Sequence, residues 1–169
     1  KLIAKFTQQN DPHAFTEIVK ACPSDLRGYC RRLTAGDRAL ADDIAQESLI
    51  TAYQQLGILK NVKAFKSWLY RIAYRNFINQ IAKNKEQVQE TLPEIAITDN
   101  NENEQLIMQL MQYLSKEQRA VITLNMTLGY GHEEIASILN MPLGTVKSHC
   151  KRGKDKLLST GQQLQLGAA

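Results

Sequence analysis

Apolar residues along this chain recur at steps of three and four, and nowhere do they alternate with polar ones over a strand's length. Phe15, Ile18 and Val19 share one side of a first helical region that Pro23 interrupts. Ser24 or Asp25 caps a restart that carries Leu26, Tyr29, Cys30 and Leu33. Thr34-Ala35-Gly36-Asp37 reads as a turn. From about Arg38 to Leu56, the residues Ile44, Ala45, Leu49, Ala52, Tyr53 and Leu56 form a buried stripe. A loop from Gly57 to Lys63 leads into a long helix, from about Ala64 to Lys83, whose inner side begins with Phe65, Trp68, Leu69, Ile72 and Ala73. Periodicity lapses over residues 84–103, around Pro93 and the cluster Thr98-Asp99-Asn100-Asn101, and resumes at Leu106, Ile107, Leu110, Met111 and Leu114. Ser115 with Gln118 matches a capping box that opens a helix carrying Ala120, Val121, Leu124 and Leu128. The expected fold is all-α: two small helical bundles, residues 1–83 and 104–159, joined by a flexible linker over 84–103, with a fraying tail over 160–169.

The C-terminal bundle contains the most informative pattern, from Gly131 to Leu157. Ile135, Ala136 and Leu139 share one helical face, and Ala136 is small where a second helix has to cross closely. Asn140 tolerates the left-handed conformation that ends many helices, and Pro142 pushes Met141 into an extended shape. The next helix turns Leu143, Val146, Cys150 and Leu157 inward and shows Lys147, Ser148, Lys151, Arg152 and Lys154 outward. A hairpin with a solvated basic face accounts for the cations alone. Small residue, tight turn and cationic second helix together describe a helix-turn-helix, whose second helix fits the DNA major groove.

Charge sharpens this picture. The formal net charge is +4, but residues 1–85 hold 14 Lys and Arg against 7 Asp and Glu, and residues 105–169 hold 7 against 4. The stretch 86–104 holds six acids and no base. Two basic bodies flanking an acidic connector imply two contacts with a polyanion. In the long helix, Ser67, Arg71, Arg75, Asn79 and Lys83 stand at steps of four, with Tyr70 and Tyr74 beside them on the side expected to face solvent. Cations interleaved with aromatics suit single-stranded DNA, since every base has a face to stack. Core packing is the alternative for Trp68 and the tyrosines. Asp42, Asp43, Gln46, Glu47 and Ile50 lie off the buried stripe of their helix; taken alone, that patch reads as an ordinary solvated face.

The cysteines, Cys22, Cys30 and Cys150, are odd in number and lack ligand spacing, so they read as small buried residues in a reduced, cytoplasmic setting with neither metal nor cofactor. No apolar run nears the roughly 20 residues that cross a bilayer, and no secretory signal pattern is present.

Four stretches fall in a recognisable order: Asp42–Ser48 (DDIAQES), Phe65–Asn76 (FKSWLYRIAYRN), Leu114–Leu124 (LSKEQRAVITL) and Gly131–Leu157. Together they resemble the extracytoplasmic-function sigma factors, the small promoter-recognition subunits of bacterial RNA polymerase, over about residues 13–157. The resemblance implies sigma regions two and four, and it changes the reading of the acidic patch. Asp43, Gln46, Glu47 and Ile50 would dock on core polymerase. Lys60, Lys63, Trp68, Tyr70, Arg71, Tyr74, Arg75, Asn76 and Asn79 would capture and melt the minus-ten element. Thr145, Lys147, Ser148, His149, Lys151 and Arg152 would read the minus-thirty-five element. An anti-sigma factor is the further partner implied. The chain departs from the family pattern at Gly131-His132, where Ser or Thr is frequent, at His149, where Arg is usual, and at Arg75, where Asn is usual.

Two other functions fit parts of the pattern. A stand-alone helix-turn-helix regulator needs a dimerisation or effector domain, and residues 13–83 show no ligand-pocket signature and no long heptad seam. A recombinase needs a nucleophile with supporting groups, and Arg71, Arg75 and the nearby tyrosines stand on one helix without an acid or base. The chain is therefore expected to be a binding subunit and not an enzyme.

Overall fold

Helices account for nearly all of the regular structure in the computed structural model, which describes residues 12–21, 23–59, 61–87 and 102–167, and no strand occurs among them. Lys60, Cys22 and the acidic connector around Pro93 lie outside the described residues. The N-terminal half comprises α1 (Pro12–Ala21), α2 (Pro23–Leu33), α3 (Arg38–Gln55) and α4 (Phe65–Gln87). The C-terminal half comprises α5 (Glu102–Gln112), α6 (Lys116–Ile122), α7 (His132–Leu139) and α8 (Leu143–Gly167). A turn of π-helix, Thr123–Thr127, extends α6.

Local chemistry sets most of the boundaries. The chain leaves α2 through two left-handed residues, Ala35 (φ 52°) and Gly36 (φ 95°), and the Gly36 N–H reaches back to the Arg31 carbonyl at 2.9 Å. That bond satisfies one of the carbonyls a helix end leaves open. Asp37 then caps α3, its carboxylate accepting the Leu40 N–H at 3.0 Å. Ser115 and Gln118 form the reciprocal capping box that the sequence expects, with bonds of 3.0 and 3.2 Å. In the helix-turn-helix, Asn140 adopts the left-handed conformation (φ 52°), and the Met141 N–H donates to the Ala136 carbonyl at 3.0 Å.

The N-terminal core gathers Leu26, Tyr29, Cys30 and Leu33 from α2, Ala41, Ile44, Ala45 and Ala52 from α3, and Leu69, Tyr70, Ala73 and Phe77 from α4. The stripe of α3 is rotated slightly from the expected one. Ser48 is fully buried, its hydroxyl donating to the Ile44 carbonyl at 2.6 Å and accepting from Asn76 Nδ2 at 3.2 Å. Tyr53, expected inside, is 41% exposed and rests edge-on against Phe15 at 5.0 Å. Tyr53 lies one hundred degrees round from the buried Ala52, on the side that continues from the exposed Ile50.

The C-terminal core is built from Ala120, Val121 and Leu124, Ile135, Ile138 and Leu139, and Val146 and Cys150. Helices α8 and α6 meet at Gly153, where a β-carbon would lie 2.8 Å from Ile122 Cγ1. A side chain there has no space, which is the use of glycine at this crossing. Two boundaries differ from expectation. Helix α4 runs on to Gln87 and α5 starts at Glu102, so the connector is shorter at both ends. The expected fraying tail is helical through Gly167, because Thr160 is buried and ties the last turns of α8 to the body.

The halves are not loosely tethered in this conformation. One apolar cluster contains residues of both, and Ala35 from the α2–α3 turn packs with Met111, Leu114 and Ile122. Where the sequence shows two separate stripes, the tertiary structure joins them.

Candidate nucleic-acid and polymerase interfaces

Three buried residues fix the rotation of α8: Val146, Cys150 and Gly153, at steps of four and three. Cys150 Sγ donates to Asn125 Oδ1 at 3.5 Å, and Asn125 Nδ2 donates to the Tyr130 carbonyl at 2.9 Å, which braces the helix from the π-turn. With that side inward, Thr145, Lys147, Ser148, Lys151 and Arg152 are all exposed. Arg152 Nε lies along its own helix, donating to the Ser148 carbonyl at 3.4 Å. His149 is half-buried and its Nδ1 is enclosed without a protein partner, so it belongs to the edge of the face and not to its crest. The first helix of the motif starts at Gly131, whose N–H donates to the Glu134 carboxylate at 2.8 Å.

On α4 the expected single-strand face divides. Arg71, Arg75 and Asn79 are exposed, Trp68, Tyr74 and Asn76 half-buried. Tyr70, expected beside the basic stripe and facing solvent, is buried. Its ring stands between Tyr29, at 5.1 Å, and Tyr130, at 6.1 Å, both edge-on. The correction has a physical cause: Tyr29 of the same bundle packs on one side of the ring, and Tyr130, from the other half of the chain, meets it on the other. Burial pushes the Tyr74 hydroxyl up to about 12, with the negative charge of Glu117 adding to it, so its oxygen remains a neutral donor near neutral pH. Lys63 is exposed on the short 3-10 turn Val62–Ala64, its own N–H held by Asn61 Oδ1 at 3.0 Å.

Trp68, Arg71, Tyr74, Arg75, Asn76 and Asn79 line one wall of a cavity of about 660 Å³; Ser137 to Asn140, at the end of α7, line the other. Arg71 Nη2 crosses it, donating to the Ser137 carbonyl at 3.0 Å and to its hydroxyl at 3.2 Å.

The acidic patch on α3 is as expected: Asp43, Gln46, Glu47 and Ile50 are exposed along one side. Glu47 accepts from Gln80 Nε2 of α4 at 3.3 Å. Tyr53 continues the same side, three residues beyond Ile50, so the face ends in two exposed apolar side chains. The sequence misses Tyr53 because its spacing also fits the buried stripe.

No group of three or more His, Cys, Asp and Glu fit to hold a metal occurs among the described residues, and none of their helices is long and apolar enough to cross a membrane.

A helix-turn-helix with an exposed cationic second helix, attached to a helical bundle with its own cationic and aromatic face, fits the DNA-binding class. Comparison with known proteins makes that class specific. The family model for sigma-70 region 2 matches residues 18–87, and that for sigma-70, region 4 matches residues 104–157. The chain is 31% identical to the ECF RNA polymerase sigma factor SigW of Bacillus subtilis, over 90% of this chain and 91% of that one. It is 28% identical to the RNA polymerase sigma-H factor of Pseudomonas aeruginosa, over 89% and 87%. Among solved structures, the sigma factor RpoE in complex with the anti-sigma factor NepR from Bartonella quintana superposes with a TM-score of 0.72, at 22% identity and over 86% of this chain and 94% of that one. CnrH in complex with the cytosolic domain of CnrY gives a TM-score of 0.70, at 18% identity and over 96% of both chains. The chain belongs to the ECF RNA polymerase sigma factors.

Proposed function

We propose that the three faces divide the work of promoter-specific initiation among them. The α3 face, Asp43, Gln46, Glu47 and Ile50, docks on core RNA polymerase. Its carboxylates are repelled by a phosphate backbone and attracted by a basic protein surface. The α4 face, Trp68, Arg71, Tyr74, Arg75, Asn76 and Asn79, with Lys60 and Lys63 ahead of it, takes the minus-ten strand, stacking bases and neutralising phosphates. The exposed side of α8, Thr145 to Arg152, enters the major groove at the minus-thirty-five element. Residues 1–83 and 104–159 act as regions two and four, and 84–103 as their connector. Nothing in this assignment makes or breaks a covalent bond, so the chain contributes binding and the polymerase the chemistry. The chain works in the cytoplasm, and an anti-sigma factor is its second protein partner; the solved neighbour RpoE is bound to the anti-sigma factor NepR.

The observation that supports this reading best is the rotation of α8. Burial of Val146, Cys150 and Gly153 leaves five of the six expected promoter-reading residues exposed on one side. Transcription from a promoter library, with and without this chain added to core polymerase, tests it. The expected result is a set of promoters that fire only with the chain present. A stand-alone regulator would instead bind its sites without polymerase.

A further inference from the structure

Three buried positions hold α8 against its own unit, and they hold it in different ways. Val146 carries only apolar atoms and Gly153 has no side chain, so both set how near the neighbouring helices come and neither aims a bond. Cys150 is the one of the three with a directional side-chain contact, from its Sγ to Asn125 Oδ1 at 3.5 Å. The same Asn125 donates from Nδ2 to the Tyr130 carbonyl at 2.9 Å. Tyr130 immediately precedes Gly131, the cap of α7. A single half-buried amide therefore ties the middle of α8 to the entry of α7.

The backbone beneath Asn125 carries an irregularity at this point. Thr123–Thr127 is a turn of π-helix, in which the Leu128 N–H donates to the Thr123 carbonyl at 3.1 Å, five residues back. Such a turn shifts the side chains that follow it relative to the helix before, and it is frequent at functional positions. The Tyr130 N–H closes the loop on the Leu124 carbonyl at 2.9 Å. An amide offers a donor and an acceptor on one short side chain, which this place uses together. A carboxylate would set a second acceptor against the Tyr130 carbonyl, and leucine, of similar reach, would offer neither group.

The promoter-reading side of α8 lies directly outside the tie. Lys147 stands three residues before Cys150 and Arg152 two after it. A helix with its side chains is about 10–12 Å across, so a turn of about 10° about its axis moves the side-chain ends by about 1 Å. Binding groups have to be held within about 0.5 Å of their working geometry, so a turn of that size matters. Apolar burial at Val146 resists it weakly, because such burial has no direction. The bond at Cys150 does have one.

We propose that Asn125 is a positioning residue for minus-thirty-five reading. Through Cys150 and Tyr130 it sets the rotation of α8 relative to α7, and with it the base edges that Lys147 and Arg152 reach. The proposal rests on the assignment of α8 to that element. Asn125 acts through α8 and not on the DNA, so its loss changes discrimination between bases more than general affinity.

The test uses the full chain with core polymerase at one salt concentration, on duplex promoters with single-base changes in either element. Asn125→Leu and Cys150→Ala remove the tie, and Cys150→Ser returns a donor. Thermal melting by circular dichroism checks the fold of each. For Asn125→Leu and Cys150→Ala, the affinity ratio between the starting promoter and its minus-thirty-five variants should shrink about tenfold, with the minus-ten ratios unchanged. Cys150→Ser should keep the ratios of the unaltered chain. Unchanged ratios in Asn125→Leu overturn the proposal. So does a loss shared equally by both elements, since general destabilisation acts on both. Cys150→Ser behaving like Cys150→Ala overturns the thiol as the link. An unaltered chain that ignores the minus-thirty-five changes refutes the assignment of α8, and the proposal falls with it. An unaltered chain that reads them, beside an Asn125→Leu variant that reads them equally well, confines the failure to the tie.

Discussion

Gly153→Ala is a small change that sets two physical effects against each other in α8. Glycine inside a helix costs about 1 kcal/mol relative to alanine, so propensity alone favours the variant by that amount. Packing opposes it. The new β-carbon would lie 2.8 Å from Ile122 Cγ1 and 3.1 Å from Cδ1. Ile122 cannot retreat easily, because it is β-branched and only 2% exposed, enclosed with Ala35, Met111 and Leu114. Overpacking a filled site costs about 1–3 kcal/mol. The net expectation is a loss of about 1 kcal/mol, together with a small tilt of α8 away from α6. A chain of this size should lose about 2–4 °C of melting temperature per kcal/mol. Urea denaturation followed by circular dichroism measures the first effect, and binding to a duplex containing the minus-thirty-five element measures the second. Unchanged or higher stability would refute the claim that this crossing requires glycine.

Lys147→Ala and Arg152→Ala should each relax specificity at one base pair, by about 1–3 kcal/mol across single-base promoter variants. Thr145→Ala and Lys151→Ala should instead weaken all sequences alike, and a uniform loss in the first pair would reverse the assignment. Asp43→Lys should abolish binding to core polymerase in a pull-down while leaving helical circular dichroism intact; retained binding would remove α3 as the docking face. Burial, and then the Asp42 charge, push the Cys30 thiol from 9.0 up to about 12. The folded chain therefore holds this proton longer than the unfolded one, so the contribution is complete below about pH 9 and is lost as pH rises towards 12. Tyr74, raised from 10.0 to about 12, acts in the same direction. Urea midpoints should accordingly fall from pH 8 to pH 11, and a rising midpoint would contradict the burial of these groups.

The parts legible in the sequence are those written in local chemistry. Asp37, Ser115 with Gln118, and Asn140 before Pro142 announce their caps and turns within a few residues, and the structure places each as expected. The inward side of α8 is legible for the same reason, since Val146 and Cys150 stand one helical turn apart. What escapes is decided by residues far away in the chain. Tyr70 is buried between Tyr29 of α2 and Tyr130 of the other half, and no pattern within α4 carries that information. The bond from Arg119 to Leu33 spans 86 positions, and both residues look unremarkable in their own helices. Tyr53 fails differently, because its spacing suits either side of α3, and only the packing of Ala52 and Ser48 decides between them. Ser48, buried, and Asn76, half-buried, form a polar pair that hydrophobic periodicity cannot see, since both count as polar positions. The extension of α8 was hidden by Gly161 and a run of glutamines, yet glutamine and leucine are good helix formers once Thr160 anchors the segment.

This chain is expected to find and open promoters only as part of polymerase. A footprint on a promoter chosen from the library, with and without core at one fixed salt concentration, tests it most directly. The expected result is protection of the minus-thirty-five and minus-ten elements, with single-strand reactivity near the latter, only when core is present. Strong protection of both elements by the chain alone would contradict it.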